Sequence, residues 1–296
     1  MTNKIFKESR VNKKGLKFSI IIPTWNNIDY LKLCIRSIQQ NSYFGHQIII
    51  FVNEGIDGTL NWIKTQKEID YLHSKENLGI CYAVNISVSL VKTDYVVYMN
   101  DDMYVCPDWD LELSKEIEKT GHNYFFLSGT LIEANASNNP NSPVIIKDYG
   151  TDTNNFAEER LLEEYKNLQK ADWHGSSWPP SLVHKDIWDL VGGLSIEFSP
   201  GMYSDPDFSM KLWKLGVRIF KGVGRSKIYH FGAKSTKKVK RNKGSDTFVM
   251  KWGITARTFY THYLKMGQEY SGYLSEPDLS LLCKARNKLK RVIKCF

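Results

Sequence analysis

Short apolar runs alternate with helix-like patterns over the first hundred residues, and this alternation constrains the fold more than any other feature. The runs at 18–23, 47–52 and 95–99 are rich in β-branched and aromatic residues, which is typical of strands buried on both faces. The intervening segments carry apolar residues at helical spacing. Strands alternating with helices through short loops favour a right-handed parallel α/β sheet over a sandwich or a helical bundle.

The predicted strand at 95–99 ends in three oxygen-bearing side chains, Asn100, Asp101 and Asp102. In open α/β sheets, ligands bind beyond the carboxyl ends of such strands. Two adjacent carboxylates repel each other and are costly to desolvate, so a hard divalent cation is a natural partner. A solvated turn has the same composition, and both interpretations remain open at this point.

Length and composition are those of a globular protein. A chain of 296 residues can form one large α/β domain, or one domain with appendages. The longest apolar runs, 18–22 and 48–52, are far shorter than the roughly 18 to 20 residues of a membrane span. The N-terminus lacks the apolar core of a signal peptide. Five cysteines without metal-type spacing indicate reduced thiols, and we expect a cytoplasmic protein.

The net charge of +8 is concentrated in two windows, 234–243 and 284–294, which together carry +12 and contain no acid. The rest of the chain is therefore acidic, and we expect no nucleic-acid partner, although binding to DNA or RNA through these windows would be strongly salt-dependent. In the second window, apolar residues are mixed with the cations. This composition suits an amphipathic helix on an anionic membrane, on its inner face, or an ordinary docking helix.

The remaining elements follow from local signals. Residues 1–17 are predicted to be loosely ordered. Asn26 or Asn27 is a candidate cap for a first helix, and Asp108 for a helix at 109–119. Further predicted elements are strands at 71–73, 124–132, 181–184, 217–220 and 227–231, a loop at 135–143, and helices at 60–66, 77–91, 156–169, 206–215 and 246–265. Asp205 is the predicted cap of the helix that begins at Pro206.

Six short motifs occur in an order that resembles the inverting glycosyltransferases of family 2. They are SIIIPTWN at 19–26, NEGIDGT at 53–59, ENLG at 76–79, MNDD at 99–102, SDPDF at 204–208 and HFGAKS at 230–235. The resemblance implies the GT-A fold, which has a Rossmann-like, mostly parallel sheet flanked by helices. It further implies a nucleotide-binding half at 18–105, an acceptor-binding half at 106–235 and a helical extension at 236–296.

The resemblance also implies an activity. Such enzymes transfer a sugar from a nucleotide diphosphate sugar to an acceptor hydroxyl, helped by Mn²⁺ or Mg²⁺. We therefore expect a UDP-sugar donor and a glycan or lipid-linked glycan acceptor, as in surface polysaccharide synthesis. The matching donor-site residues are Pro23, Thr24, Asn26, Asn53, Glu54, Asn77, Gly79, Asn100, Asp101 and Lys234. Where the family often has an Asp that reads uracil, this chain has Asn53 and Glu54, so the base stays open.

Asp102 occupies the last position of the family's Asp-x-Asp motif and is the implied metal ligand, with Asn100 in place of the first Asp. His230 matches a histidine that completes the metal shell in several relatives, although a structural strand histidine is equally compatible. Inversion needs one base and no covalent intermediate, so a single carboxylate suffices. Asp205 matches that base, and its alternative role is the helix cap.

Aromatic residues before and after 180 suggest a platform for a sugar acceptor, because rings pack well on the apolar face of a pyranose. The candidates are Trp173, His174, Trp178 and Tyr203, with Asp207 either structural or acceptor-binding. Tryptophans in loops also often fill the core. Two other functions are alternatives. A nucleotidyltransferase would need a Gly-rich loop with Arg and Lys after the first strand, which 23–26 lacks, whereas a non-catalytic nucleotide- or glycan-binding module remains open.

Overall fold

The computed structural model describes residues 5–11, 13–135, 142–232 and 242–295. The strands are β1 Phe6–Glu8, β2 Ser19–Trp25, β3 Gln47–Asn53, β4 Asp70–Ser74, β5 Tyr95–Tyr98, β6 Met103–Val105, β7 Phe125–Glu133, β8 Ile145–Ile146, β9 Trp173–His174, β10 Ser181–His184 and β11 Ile219–His230. The helices are α1 Ile28–Asn41, α2 Thr59–Thr65, α3 Gly79–Ser87, α4 Trp109–Thr120, α5 Glu158–Glu164, α6 Lys185–Val191, α7 Ser204–Leu215, α8 Gly244–Trp252, α9 Ala256–Thr258 and α10 Leu281–Cys295.

The strands form one mixed sheet in the order β1-β4-β3-β2-β5-β10-β7-β11-β6, with β8 beside β7 and β9 beside β11. The four strands β4, β3, β2 and β5 run parallel to one another. Strand β10 enters antiparallel between β5 and β7, and β11 is parallel to β7. The prediction of a mostly parallel α/β sheet flanked by helices is confirmed.

Alternate residues of β2 face two different hydrophobic cores. Ile20 and Ile22 pack with the buried stripe of α1, whereas Ile21 packs in the second core with α3 and α7. This period of two is what a strand covered on both faces requires. Because β2, β3 and β5 run parallel, their carboxyl ends meet at one edge of the sheet, where the polar motifs lie.

The N-terminal segment differs from the expectation of loose order. Strand β1 pairs antiparallel with β4 at the edge of the sheet. The buried carboxylate of Asp70 accepts hydrogen bonds from the backbone N–H groups of Arg10 and Val11. These bonds hold the segment 5–11 against the sheet. The sequence did not indicate strand β1, because a strand of three residues is too short to show a recognisable pattern.

Two predicted caps are wrong. Asn27 occupies the N-cap position of α1 without a side-chain cap bond, and the N–H of Ile28 instead donates to Oδ2 of Asp57, 2.9 Å away. Asp108 precedes α4 with a φ of +63° and makes no cap bond. In the first case the loop after β3 supplies the acceptor, which a local sequence pattern cannot indicate.

The C-terminal third also differs in detail. The two strands predicted at 217–220 and 227–231 form one strand, β11, whose register against β7 shifts between Val223 and Lys227. The long helix predicted at 246–265 is broken at Gly253, which has a φ of +74°. A π-helical turn, Phe259–Tyr263, follows α9. Helix α10 then packs against α8.

Candidate active site

A cavity of about 380 Å³ opens at the carboxyl ends of β2, β3 and β5. Its walls come from these strand ends, from the N-termini of α3 and α7, and from the ends of β7 and β11. The volume lies in the range of small-molecule sites, roughly 300 to 1,000 Å³. Of the residues assigned to the donor from the sequence, Pro23, Thr24, Asn53, Asn77, Gly79, Asn100 and Asp101 line this cavity.

The donor-side residues are tied to one another by hydrogen bonds. Oδ1 of Asn53 accepts from the N–H of Leu78, and Oδ1 of Asn77 accepts from the N–H of Gly79, both at 2.9 Å. The hydroxyl of Thr24 donates to Oδ2 of Asp101 at 2.7 Å. Three strand ends and the start of α3 therefore form one preorganised wall.

Gly79 is required where α3 approaches the opposite wall. Its φ is +76°, and a Cβ atom there would lie 2.6 Å from Cα of Pro200. The next N–H, of Ile80, donates to the carbonyl of Pro200 at 2.7 Å. The ENLG motif thus fixes the start of α3 against the loop that carries Pro200, and both border the cavity.

Asn26 and Glu54 lie beside the cavity and are not among the residues that line it. Nδ2 of Asn26 donates to Oε2 of Glu54 at 2.9 Å, and both residues have positive φ angles, +48° and +58°. Their contact holds the loops after β2 and β3 together. Lys234, the remaining donor-side candidate, lies outside the described residues.

The end of β5 brings two carboxylates into a buried position. Asp101 and Asp102 are 3% and 2% exposed. Burial and the neighbouring charge of Asp102 raise the pKa of Asp101 to about 7, although the hydrogen bond from Thr24 works in the opposite direction. Two adjacent buried carboxylates favour a cation at the site.

His230, at the end of β11, lies between two carboxylates. Its Nε2 atom is 3.4 Å from Oδ1 of Asp102, and its Nδ1 atom is 2.6 Å from Oε1 of Glu133. Burial alone would lower the pKa of His230, but the two carboxylates outweigh it and raise the pKa to about 10. In this arrangement the ring is an imidazolium that offsets part of the acidic charge.

The sequence did not identify Glu133, although a signal was present. It is the first polar side chain after the apolar part of a predicted strand, in the same kind of position as Asn100. Strands β7 and β11 are parallel neighbours that end together, with Tyr229 opposite Ile132. The pairing that brings Glu133 to His230 spans 97 residues of sequence and is set by the sheet order.

Asp102 and His230 meet some of the requirements of a divalent metal site. Within the described ranges, no group of three or more His, Cys, Asp or Glu side chains is arranged to hold a metal ion. A metal-binding histidine, however, usually donates its second ring N–H to a carboxylate, as His230 can to Glu133. Asp102 and His230 thus fit an ion that takes its other ligands from diphosphate and water, and binding would release the imidazolium proton.

Asp205 lines the cavity from the second residue of α7. It is not the cap predicted from the sequence, because the helix begins at Ser204 and its N-cap position is Tyr203, with a φ of +71°. The Asp205 carboxylate makes no side-chain hydrogen bond or ion pair with a residue that the structure describes. Burial raises its pKa to about 7, which suits a general base near neutral pH.

The five acceptor-side candidates separate into two groups. Trp178 and Tyr203 line the cavity near Asp205. Trp173 is buried, and its indole Nε1 donates to the hydroxyl of Thr130 at 2.9 Å. Its ring fills the space beside Gly222, where a Cβ atom would lie 1.8 Å from the indole. Trp173 therefore occupies the core and has no face open to a ligand.

His174 and Asp207 are likewise outside the cavity lining. Nε2 of His174 contacts the hydroxyl of Ser271 at 3.0 Å. The carboxylate of Asp207 is fully buried, accepts from Nε1 of Trp252 at 2.8 Å and lies 2.9 Å from Nζ of Lys251. Both side chains have the partners of structural residues. Helical periodicity explains the contrast with Asp205, because positions two apart on a helix face different directions.

The loop from Pro200 to Met202 and the residues Tyr98, Leu131, Pro179 and Glu133 line the cavity without having been identified from the sequence. Most of these residues contribute apolar side chains or backbone atoms, which form no recognisable sequence motif. Trp25 and Met103 join them on the donor side. The cavity therefore combines a polar edge with apolar walls, as ligand sites generally do.

The family model for glycosyl transferase family 2 matches residues 19–178, which is more than half of the chain. The chain belongs to this family. Within the match lie the donor wall, the Asn100–Asp102 strand end and Glu133, whereas Asp205 and His230 follow it in sequence. The family resemblance seen in its motifs is confirmed.

Individual relatives agree with this assignment. Glycosyltransferase GlyG of Streptococcus pneumoniae is 22% identical over 201 residues, covering 65% of this chain and 63% of GlyG. The chain thus spans less than two thirds of that relative. The solved structure of S. aureus TarS 1-349 in complex with UDP-GlcNAc superposes with a TM-score of 0.57 at 13% identity, covering 95% of this chain and 73% of that one.

A second solved structure, GalNAc-T7 with UDP, GalNAc and Mn²⁺, also has a TM-score of 0.57 at 13% identity, covering 95% of this chain and 55% of that one. Similarity at this identity supports the fold, and the predicted GT-A architecture is confirmed. Among the residues that the structure describes, no helix has both the length and the apolar character needed to cross a bilayer.

Proposed function

We propose that the protein is a metal-dependent inverting glycosyltransferase. It transfers a sugar from a UDP-sugar to a hydroxyl of a glycan or lipid-linked glycan, as in surface polysaccharide synthesis. The proposal rests on one observation: a single cavity brings together the residues for donor and metal binding and the candidate base. Asp102, His230 and the donor wall line this cavity, and so does the carboxylate of Asp205, which has no side-chain hydrogen bond or ion pair to a residue within the described ranges.

The donor side holds the nucleotide. The carboxyl ends of β2 and β3 and the start of α3 present Thr24, Asn53 and Asn77 to the base and ribose, with Asp101 close to Thr24. UDP is the proposed nucleotide because TarS has been solved with UDP-GlcNAc and GalNAc-T7 with UDP. The donor sugar then extends toward the Pro200–Tyr203 wall.

A bound Mn²⁺ or Mg²⁺ would supply positive charge to the departing diphosphate, and Asp102 and His230 are the residues that would hold it. Mn²⁺ in the GalNAc-T7 structure supports this part of the proposal. Glu133 keeps the His230 ring in one orientation through its contact with Nδ1. Asn100, in place of a third carboxylate, adds an oxygen without adding charge.

Asp205 accepts the proton of the acceptor hydroxyl as that oxygen attacks the anomeric carbon. A single base on the acceptor side, with no second carboxylate acting as nucleophile, is what one-step inversion needs. Trp178 and Tyr203 border this side and offer ring faces to an acceptor sugar.

The boundaries of the functional parts are also proposed. We assign 18–105 to the donor, 106–235 to the acceptor and 236–296 to an extension. The cysteines whose side chains the structure describes, Cys34, Cys81, Cys106 and Cys283, are all free thiols. Three of them are buried, which supports a reducing compartment and thus the proposed cytoplasmic location.

The test is UDP release from a panel of UDP-sugars with candidate glycan acceptors, with and without Mn²⁺. Wild type should show acceptor-stimulated release that a chelator abolishes. Asp205→Asn should lose at least about a hundredfold in kcat, since general-base contributions are typically 10²- to 10⁴-fold. The matched control is Asp186→Asn, at a highly exposed aspartate on α6. Near-normal activity of Asp205→Asn would exclude it as the base, and UDP binding without any transfer would favour a binding module.

A further inference from the structure

Helix α10 has its apolar face turned away from the protein. Its five large apolar side chains, Leu281, Leu282, Leu289, Val292 and Ile293, are between 47% and 83% exposed. At 3.6 residues per turn they share an arc of about 120°. A helix that serves only to cover a core would bury this arc, so the exposed face needs another explanation.

The orientation of α10 is fixed by its polar face. Asn287 is 4% exposed, and its Oδ1 accepts from the N–H of Thr255 at 3.1 Å and from the hydroxyl of Thr258 at 3.0 Å. In the last turn of α10, Nζ of Lys294 lies 3.1 Å from Oδ1 of Asp246 in α8. Rotating the helix to bury its leucines would break these contacts, so the outward apolar face is built into the structure.

Cations border the apolar arc. Arg286 and Lys288 are exposed and, by helical geometry, lie on its two opposite edges. The segment from 279 to 296 contains no acidic residue. An apolar stripe between cations is the pattern of helices that lie in the interface of an anionic bilayer.

We propose that α10 docks on an anionic phospholipid surface. The apolar arc enters the boundary between headgroups and acyl chains, and Arg286 and Lys288 lie level with the lipid phosphates. A helix of 15 residues, about 22 Å long, would lie in the plane of the membrane and bind it reversibly. This proposal concerns a surface and does not depend on the catalytic roles given above.

The docking surface connects to the acceptor side of the cavity through α8. The residue before this helix, Lys243, follows Asn242, whose Nδ2 donates to the carbonyls of Phe198 and Ser199 at 2.7 and 3.0 Å. These residues directly precede the cavity wall at Pro200. If the proposed function holds, membrane docking would therefore hold the acceptor side near lipid-linked substrates.

The test is flotation of the full chain with vesicles of phosphatidylcholine, with and without phosphatidylglycerol. The protein should float only with the anionic vesicles. Leu282→Gln with Leu289→Gln should lower the partition coefficient at least tenfold. Arg286→Gln with Lys288→Gln should lower it severalfold and reduce its salt dependence. The matched control is Leu190→Gln with Ile146→Gln, which removes exposed apolar groups elsewhere and should float like wild type.

Each other result contradicts the proposal. Flotation that the double leucine variant leaves unchanged would place the binding surface elsewhere. Absence of flotation with anionic vesicles would overturn membrane docking. A dimer in light scattering that the leucine variant converts to monomer, without flotation, would assign the face to a second copy of the chain. Circular dichroism shows whether each variant is folded, and UDP binding measured in parallel separates failure here from failure of the proposed function.

Discussion

Glu133 Oε1 lies 2.6 Å from Nδ1 of His230, whose Nε2 atom faces Asp102 Oδ1 at 3.4 Å. The three residues come from the ends of β7, β11 and the β5–β6 turn, so the contact depends on the sheet order. It gives His230 a defined orientation toward the cavity. Glu133 is therefore a positioning residue for the proposed metal site.

Replacing Glu133 with Gln should weaken Mn²⁺ binding in the presence of UDP. Loss of such a carboxylate partner typically costs 10- to 100-fold in metal affinity. Calorimetric titration with Mn²⁺ measures the change, and Glu133→Asp should recover part of it. The control is Glu68→Gln, at an exposed carboxylate outside the cavity. Equal metal affinity in wild type and Glu133→Gln would remove the positioning role.

The pH dependence of transfer should follow Asp205. Because burial raises its pKa to about 7, the carboxylate is mostly protonated at pH 6 and mostly ionised at pH 8. A base must be ionised, so kcat/KM should rise about tenfold per pH unit below 7 and level off above it. A rate profile from pH 5 to 9 checks this, and a flat profile would contradict the assignment.

The ionised carboxylate of Asp205 should also lower the free energy of unfolding at high pH. An unfolded Asp titrates near 3.9, so between about pH 4 and 7 the folded chain holds a proton that the unfolded chain has lost. Stability therefore falls as pH rises through this window, and the cost is complete above pH 7. Asp205→Asn should be more stable than wild type at pH 8, by on the order of 2 to 4 kcal/mol. Urea unfolding at pH 4 and 8 measures the difference, which should nearly vanish at pH 4.

Asp207→Asn should have the opposite effect and lower the free energy of unfolding. Its buried carboxylate accepts hydrogen bonds from Ser195 and Trp252 and pairs with Lys251. In Asp207→Asn these donors would face a neutral amide in place of a carboxylate. The change should lower the free energy of unfolding by about 1 to 3 kcal/mol. Denaturation of the two Asn variants side by side gives the comparison. A neutral Asp207→Asn would show that these contacts do not stabilise the fold.

Gly79→Ala should damage both folding and donor binding. The new Cβ would meet the backbone of Pro200, and the φ of +76° adds strain. Gly192→Ala is a matched control, because Gly192 has a similar φ of +73° and open space around it. Strain at positive φ costs about 1 kcal/mol or more in both variants. The additional loss in Gly79→Ala, with weaker UDP binding in calorimetry, would report the clash; equal losses would argue against it.

Much of the donor side could be predicted from the sequence. The strands β2, β3 and β5 are short apolar runs, and the rule that ligands bind beyond parallel strand ends locates Thr24, Asn53 and Asp102. These signals are local, because each polar residue directly follows its own strand. The family resemblance added the role of each residue, which spacing alone does not give.

The rest depends on contacts between distant segments. Glu133 becomes part of the site only because β7 pairs with β11, and Trp173 becomes a core residue only because β9 lies against Gly222. The exact start of α7 decides whether Asp205 caps the helix or faces the cavity, and the φ of Tyr203 sets that start. Sequence patterns locate helix ends only to within one or two residues.

The most direct measurement is calorimetric titration of UDP into the protein with and without Mn²⁺, in wild type and in Asp102→Ala. A cavity that holds a nucleoside diphosphate together with a metal at Asp102 and His230 predicts binding that strengthens at least tenfold with Mn²⁺ in wild type. Asp102→Ala should lose this dependence while it keeps weak binding of UDP alone. An affinity for UDP that does not change with Mn²⁺ would contradict the proposed site. So would an effect of Mn²⁺ that is the same in Asp102→Ala as in wild type.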